Sequence, residues 1–241
     1  MPMTEKRPVG PEIPNWTVPR APDMTPLEGR YVRLEALDAD RHAAILFKAF
    51  DGHDWVWDYM PVGPFASAAQ FHRWIRDETA KDTILFYAIY DKDAGAYGGF
   101  ASYLRVKPEA GSIEVGFIAM APRMQRTRAA TEAMFLMMQW AFDAGYRRYE
   151  WKCDALNAPS RRAAQRFGFS FEGVFVQATV VKGRNRDTAW FAVIDKDWPA
   201  LHEAFQFWLS PENFDAEGRQ KERLADLTRL VRRASDPAQK V

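Results

Sequence analysis

The sequence predicts a mixed α/β domain: an α+β mixed sheet covered by helices on both faces, not a repeated βαβ series. Three observations carry this. Segments such as Tyr31–Leu37 alternate apolar and polar residues with strand periodicity. Ala130, Met134, Met137 and Ala141 recur at helical spacing. Strand-like segments also follow one another in runs, at 84–90, 97–106 and 112–120, instead of alternating with helices.

Taken in chain order, the elements begin after a proline-rich arm. Residues 1–26 hold seven of the fifteen prolines. Proline fixes φ and removes a backbone donor, so the arm is extended, either disordered or wrapped on the domain with Trp16 as anchor. A strand over 31–37 comes next. Asp38 caps a helix to about Phe50, and Ser67 caps a second to about Ala80. Strands follow at Ile84–Tyr90, Tyr97–Val106 and Ser112–Met120. A long helix runs from about Arg126 to Ala144 and stops at Gly145. Tyr149–Cys153 is a strand, Asn157–Phe167 a helix, and Phe171–Val181 and Thr188–Ile194 the last strands. The order is β-α-α-β-β-β-α-β-α-β-β. The division is an arm (1–26), a domain (27–197) and a C-terminal helical extension (198–241). Within the extension, 219–233 places Leu224, Leu227 and Val231 on one helical face, with six basic residues against two acidic ones.

Bulk properties remove several classes of function. The formal net charge is +1, so no strong field points to nucleic acid or a membrane surface. The one cysteine, Cys153, excludes a disulfide framework and fits a reducing, cytoplasmic setting. The N-terminus lacks the apolar core of a signal peptide, and no run approaches the roughly 20 apolar residues of a membrane span. The four histidines show no metal-ligand spacing, so no metal is expected.

Chemistry concentrates between Glu114 and Ala133. A strand enters a short proline loop and then the long helix. Such a loop presents free backbone N–H groups at a helix N-terminus, where the helix dipole also favours an anion. Arg126 and Arg128 add charge, and Ala129 and Ala130 let a bulky anion approach the backbone. A pyrophosphate needs this combination. Glu114 lies on the strand face opposite Ile113 and Val115, where a carboxylate must be paired or line a cavity. It is a candidate general base or the partner of Arg105. The loop with Trp55, Trp57, Tyr59 and Phe65 is too aromatic for a solvated loop and forms either a substrate pocket or a satellite core. Asn157 and Ser160 open a helix and read equally as caps. Cys153 shares a strand face with Tyr149 and Trp151 and reads as a buried apolar residue.

Glu114-Val115-Gly116-Phe117, the run Gln125-Arg126-Thr127-Arg128-Ala129-Ala130, and Thr131-Glu132-Ala133 together resemble the GNAT acyltransferase superfamily, in particular its RimJ/RimL-type branch. Asn157-Ala158-Pro159-Ser160 and Arg166-Phe167-Gly168-Phe169 are similar to later motifs of that branch. The resemblance covers roughly residues 27–197. It implies an N-acetyltransferase that uses acetyl-CoA, or another acyl-CoA, as co-substrate and needs no metal. It implies that Ile118, Ala119 and Met120 hold the pantetheine arm by backbone pairing, and that Gln125, Arg126, Thr127, Arg128, Ala129, Ala130 and Thr131 hold the pyrophosphate. Asn157 would contact the arm, Ser160 would protonate the leaving thiolate, and Glu114 would act as general base. Trp55, Trp57, Tyr59 and Phe65 would line the acceptor pocket. The acceptor is a small-molecule amine or a protein N-terminus, and a homodimer is allowed. One departure stands out: the family pattern has glycine where this chain has Arg128. Either that residue is strained, or the backbone is helical there and the guanidinium binds phosphate; the second is favoured. Two other readings remain: a non-catalytic acyl-CoA-binding module, and a ribosome- or protein-binding factor that uses the basic tail.

Overall fold

The computed structural model describes residues 7–239; the first six residues of the arm and the last two of the extension lie outside that range. Eight strands form one sheet in the order β1-β2-β3-β4-β5-β6-β8-β7. They are β1 (Leu27–Glu28), β2 (Val32–Ala36), β3 (Ile84–Asp91), β4 (Ala96–Lys107), β5 (Ser112–Met120), β6 (Arg148–Asp154), β7 (Ser170–Val181) and β8 (Arg184–Ile194). Only β5 and β6 pair in parallel, because α3 (Arg128–Asp143) crosses over between them.

Period-two side chains serve two cores, one on each face. On β3, Tyr87 and Ile89 pack with Tyr103 of β4, Ile113 and Val115 of β5, and the helix α3. Phe86 and Ala88, their neighbours in sequence, face the other way with Phe100. There they meet α1 (Ala39–Phe50) and α2 (Ala68–Thr79). Asp38 and Ser67 cap these two helices through their side chains, as their positions predict. The first face also carries α4 (Ala158–Arg166), α5 (Trp198–Leu209) and α6 (Leu224–Arg229). The arm lies along this body in extended form. Pro19 is buried next to Gly145, and the Arg20 guanidinium sits 5.2 Å from the Trp140 ring. Trp16 reaches Gly111.

Two expected boundaries move for physical reasons. The long helix starts at Arg128 rather than Arg126, because the Thr127 hydroxyl caps it by accepting from Ala130 N at 3.1 Å. Residues 219–233 form only the short α6, with Leu224 buried. Beyond it the chain is drawn out against β7: Phe171 N donates to Ala234 O, and Arg233 pairs with Asp197. Tertiary contacts override the helical pattern there.

Glu132 ties α3 to the first strands. Its buried carboxylate accepts from the backbone N–H groups of Arg30, Tyr31 and Val32 at 2.8, 2.6 and 2.9 Å. Gly29 is required beside it, since a Cβ there would overlap the carboxylate. Hydrogen bonds to a charged group each contribute about 1.5–3 kcal/mol, and unpaired buried donors cost more still. Glu132→Ala is therefore expected to destabilise the fold by about 3 kcal/mol or more. Urea or thermal unfolding checks this, and an unchanged midpoint would refute the assignment.

Candidate active site

The site begins where the sheet opens. Strands β5 and β6 stay paired only from Ser112–Arg148 to Val115–Trp151. Beyond that, β5 continues to Met120 with its other edge held by β4, through Gly99–Met120 and Phe100–Ala119. A bulge at Phe117, whose φ is +45°, accompanies the parting. The β6-facing edge of residues 116–120 is thus left without a strand partner. Ile118 and Met120 line the resulting cavity, while Ala119 packs into the α1–α2 core.

That cavity has a volume of about 1110 Å³. It is larger than an ordinary small-molecule pocket, which spans roughly 300–1,000 Å³. It runs from Trp55 and Tyr59, past Ile118 and Trp151, to the beginnings of α3 and α4. At α3, every residue from Gln125 to Thr131 borders it. Thr127 takes the N–H of Ala130, so the N–H groups of Arg126, Arg128 and Ala129 have no acceptor among the described residues. Gln125 turns back, donating from its amide to Met120 O at 3.0 Å, which fastens the loop to the strand.

Arg128 adopts helical backbone, so the position where the family pattern has glycine carries no strain here. The left-handed residue is Arg126, with φ at +65°. The Arg128 guanidinium lies 4.6 Å from the Tyr31 ring and 5.0 Å from that of Phe214, and it meets Asp93 at 3.2 Å. The free anion ligand expected at this position is thus an arginine already held by two aromatic rings and one half-exposed carboxylate.

Sequence reasoning passed over a stronger cation. Arg166 closes α4 and borders the cavity. Its guanidinium donates to Thr131 Oγ1 at 3.0 Å and stacks 5.2 and 5.1 Å from the Phe167 and Trp208 rings. No carboxylate among the described residues pairs with it. Burial pushes its pKa down to about 10. It remains charged at neutral pH and under-solvated, a state that a bound anion relieves. Its signal lay in Arg166-Phe167-Gly168-Phe169, which reads as a helix end until the tertiary fold brings it to α3.

Asn157 and Ser160 both border the cavity and both have structural duties. Asn157 Oδ1 caps α4 by accepting from Ser160 N at 3.0 Å. Ser160 Oγ accepts from Trp151 Nε1 at 3.1 Å, so its own O–H can still donate.

Glu114 is 2% exposed and is not among the residues that line the cavity. The ion pair to Arg105 is present at 2.6 Å. Lys152 adds a second: its ammonium lies 2.7 Å from Glu114 Oε2, without hydrogen-bond alignment, and donates to Glu150 Oε2 at 2.8 Å. The same ammonium lies 3.9 Å from the Trp190 ring centroid. Burial raises the affinity of Glu150 for a proton, but hydrogen bonds from Lys152 and Arg148 outweigh it and hold its carboxyl below the usual range.

The aromatic loop divides. Trp57 and Phe65 fill the α1–α2 core with Phe71, whereas Trp55 and Tyr59 stay partly exposed and line the cavity. The Tyr59 hydroxyl donates to Leu156 O at 3.2 Å, and Lys182 of the β7–β8 turn donates to Trp57 O at 2.8 Å. The loop is thereby tied both to the approach to α4 and to the last hairpin.

Among the described residues no cluster of three or more His, Cys, Asp or Glu side chains could hold a metal ion. No helix among them is long and apolar enough to cross a membrane.

The sheet is thus mixed and parts between its two parallel strands, with a cationic helix N-terminus at the parting. The family model for the acetyltransferase (GNAT) domain matches residues 32–170, and the chain belongs to that family. Among solved structures, it is similar to a GCN5-related N-acetyltransferase from Brucella melitensis. That match has 48% identity and a TM-score of 0.87, covering 90% of this chain and 100% of that one. A GNAT-family protein from Chromobacterium violaceum ATCC 12472 shares 41% identity at a TM-score of 0.76, over 81% of this chain and 99% of that one. The Salmonella typhimurium acetyltransferase that modifies the N-terminal serine of ribosomal protein L7/L12 shares the fold. Its TM-score is 0.59 at 19% identity, over 69% of this chain and 96% of that one. A search of curated proteins gives no match.

The same geometry predicts a quiet cysteine. Cys153 is buried on β6, and burial pushes its thiol up to about 11. The thiol is neutral at physiological pH and offers no thiolate for a covalent acyl intermediate. Native protein at pH 7.5 should react with a disulfide reagent many times more slowly than denatured protein. Fast stoichiometric labelling of the folded protein would contradict this.

Proposed function

We propose that this protein transfers an acyl group, acetyl before others, from acyl-CoA to a primary amine by direct attack within a ternary complex. One observation carries the proposal: a single cavity joins the unpaired edge of β5 to the arginine-rich start of α3. The free edge suits the amide-bearing pantetheine arm, which can pair with it as an added strand would. Free N–H groups, Arg126, Arg128 and Arg166 suit the phosphates. No carboxylate among the described residues satisfies Arg166, which supports the fit.

In the reaction, the amine nitrogen bonds to the thioester carbonyl carbon and the C–S bond breaks. The amine gives up a proton and the sulfur leaves as thiolate, which takes one. A backbone N–H near Ile118 or Met120 is proposed to polarise the carbonyl. Ser160, whose O–H is not consumed by Trp151, is the proposed donor to sulfur. Glu114 is proposed to receive the amine proton through water. Trp55 and Tyr59 are proposed to border the acceptor's path, while Trp57 and Phe65 support them from the core. The RimJ/RimL branch would make the acceptor a protein N-terminus; a small amine fits the same chemistry. A cytoplasmic setting agrees with the single thiol.

A second reading keeps the co-substrate and drops the chemistry. The double ion pairing of Glu114 with Arg105 and Lys152, and its absence from the cavity lining, favour it. Turnover decides between them. Acetyl-CoA with a panel of amines and N-terminal peptides is expected to release free thiol with sequential kinetics. CoA binding without release from any acceptor would support the non-catalytic module, and ping-pong kinetics would contradict direct transfer. Glu114→Gln should lower kcat about 100-fold, the ordinary scale of general-base loss, with CoA affinity little changed. Full kcat in that variant would remove Glu114 from the mechanism.

A further inference from the structure

The family match ends at residue 170, yet the large cavity has a wall contributed from far beyond it: Trp208, Phe214, Gly218 and Gln220. Two of these residues are aromatic, and each touches one arginine of the anion end. The Trp208 ring lies 5.1 Å from the Arg166 guanidinium, and the Phe214 ring 5.0 Å from that of Arg128. The rings also pack edge to face with centroids 5.2 Å apart, so the two arginines rest on one continuous aromatic surface.

This wall is built rather than draped. Trp208 is the penultimate residue of α5, whose Leu201 and Phe205 are buried against α3 and α4. Trp208 Nε1 donates to Gln220 Oε1 at 2.9 Å, and Phe214 forms an antiparallel bridge with Gln220. Asn213, itself buried, fastens the loop. It donates to Trp208 O and Glu222 O at 3.1 and 3.2 Å, and accepts from Glu222 N at 2.8 Å. Resting on the proposal that the cavity takes acyl-CoA, we infer that the C-terminal extension is part of the nucleotide end of the site. Trp208 and Phe214 act as positioning residues that hold Arg166 and Arg128 beside the start of α3 for phosphate groups.

The physical reason is order. A free arginine side chain samples many rotamers, and stacking on a ring fixes its plane before the anion arrives. The one carboxylate among the described residues that pairs with Arg128, Asp93, is 60% exposed and 3.2 Å away. Exposed pairs of this kind are weak, so a phosphate can take its place. The ligand chemistry is a phosphate anion, present twice in CoA: in the diphosphate bridge and on the ribose 3′-hydroxyl.

The test uses the full-length protein and four variants: Phe214→Leu and Trp208→Phe, which keep bulk, and Arg166→Leu and Arg128→Leu. Affinity for CoA, dephospho-CoA and pantetheine is measured by calorimetry, with thermal unfolding as the check on folding. Phe214→Leu is expected to weaken CoA binding about five-fold, and Arg166→Leu at least ten-fold. Pantetheine, which has no phosphate, should bind all variants as it binds the parent. A deficit that persists with dephospho-CoA assigns the arginines to the diphosphate; one that vanishes assigns them to the 3′-phosphate. Wild-type CoA affinity in folded Phe214→Leu and Arg166→Leu, or equal losses with pantetheine, would overturn the inference while leaving the acyl-CoA reading intact. Failure of the parent to bind CoA at all would overturn both, and that result is distinct from the other two.

Discussion

The parting of β5 from β6 is the constraint on which the rest of this structure depends. Four residue pairs join the strands, and then one edge of β5 is left open toward the protein interior. Backbone donors and acceptors away from water need partners, so an open edge beside a core persists only where water or a ligand reaches it. Here the bulge at Phe117 and the crossover through α3 keep the strands apart. The same crossover brings the N-termini of α3 and α4 to the gap, because both helices follow directly from the separating strands. The cavity, its free N–H groups and its arginines all follow from that one departure from regular pairing.

Two partly or fully buried charges near this gap show how differently the fold treats charge. Among the described residues Glu132 pairs with no cation, yet three backbone N–H groups satisfy its carboxylate, so it belongs to the architecture. Arg166 has one hydroxyl, two aromatic faces and, among the described residues, no carboxylate. A buried charge without a counter-charge is costly, which makes Arg166 a candidate for anion binding. Glu114 is a third case, neutralised from both sides by Arg105 and Lys152. Its environment explains how a carboxylate survives on a central strand, whatever further duty it has.

The C-terminal segment changes what counts as the domain. Helix α5 stacks Phe205 on Phe135 and Trp198 on Phe142, both side chains of α3. Asp236 is buried and forms a two-pronged ion pair with Arg161 of α4, with Arg161 Nε 2.6 Å from Asp236 Oδ2. The two helices whose N-termini face the cavity are thus braced by residues that follow the eight-stranded sheet. Such bracing limits how far α3 and α4 can move relative to each other, and so how far the gap can widen.

Much of this was legible in the sequence, for a clear reason. Strand alternation, helical spacing and the caps Asp38, Ser67 and Asn157 are local properties, and local chemistry decides them. The order of strands and helices and the strand–loop–helix from Glu114 to Ala133 were readable for the same reason. Tertiary structure alone decided the rest. It divided the aromatic loop into core (Trp57, Phe65) and cavity (Trp55, Tyr59), and put left-handed backbone at Arg126 beside a helical Arg128. It clamped Glu114 with Lys152, and brought Arg166, Trp208 and Phe214 to one place. Those last contacts join residues separated by tens of positions on different helices and loops. A pattern with a period of two or four residues carries no information about them; only the packing of α4 and α5 against α3 does.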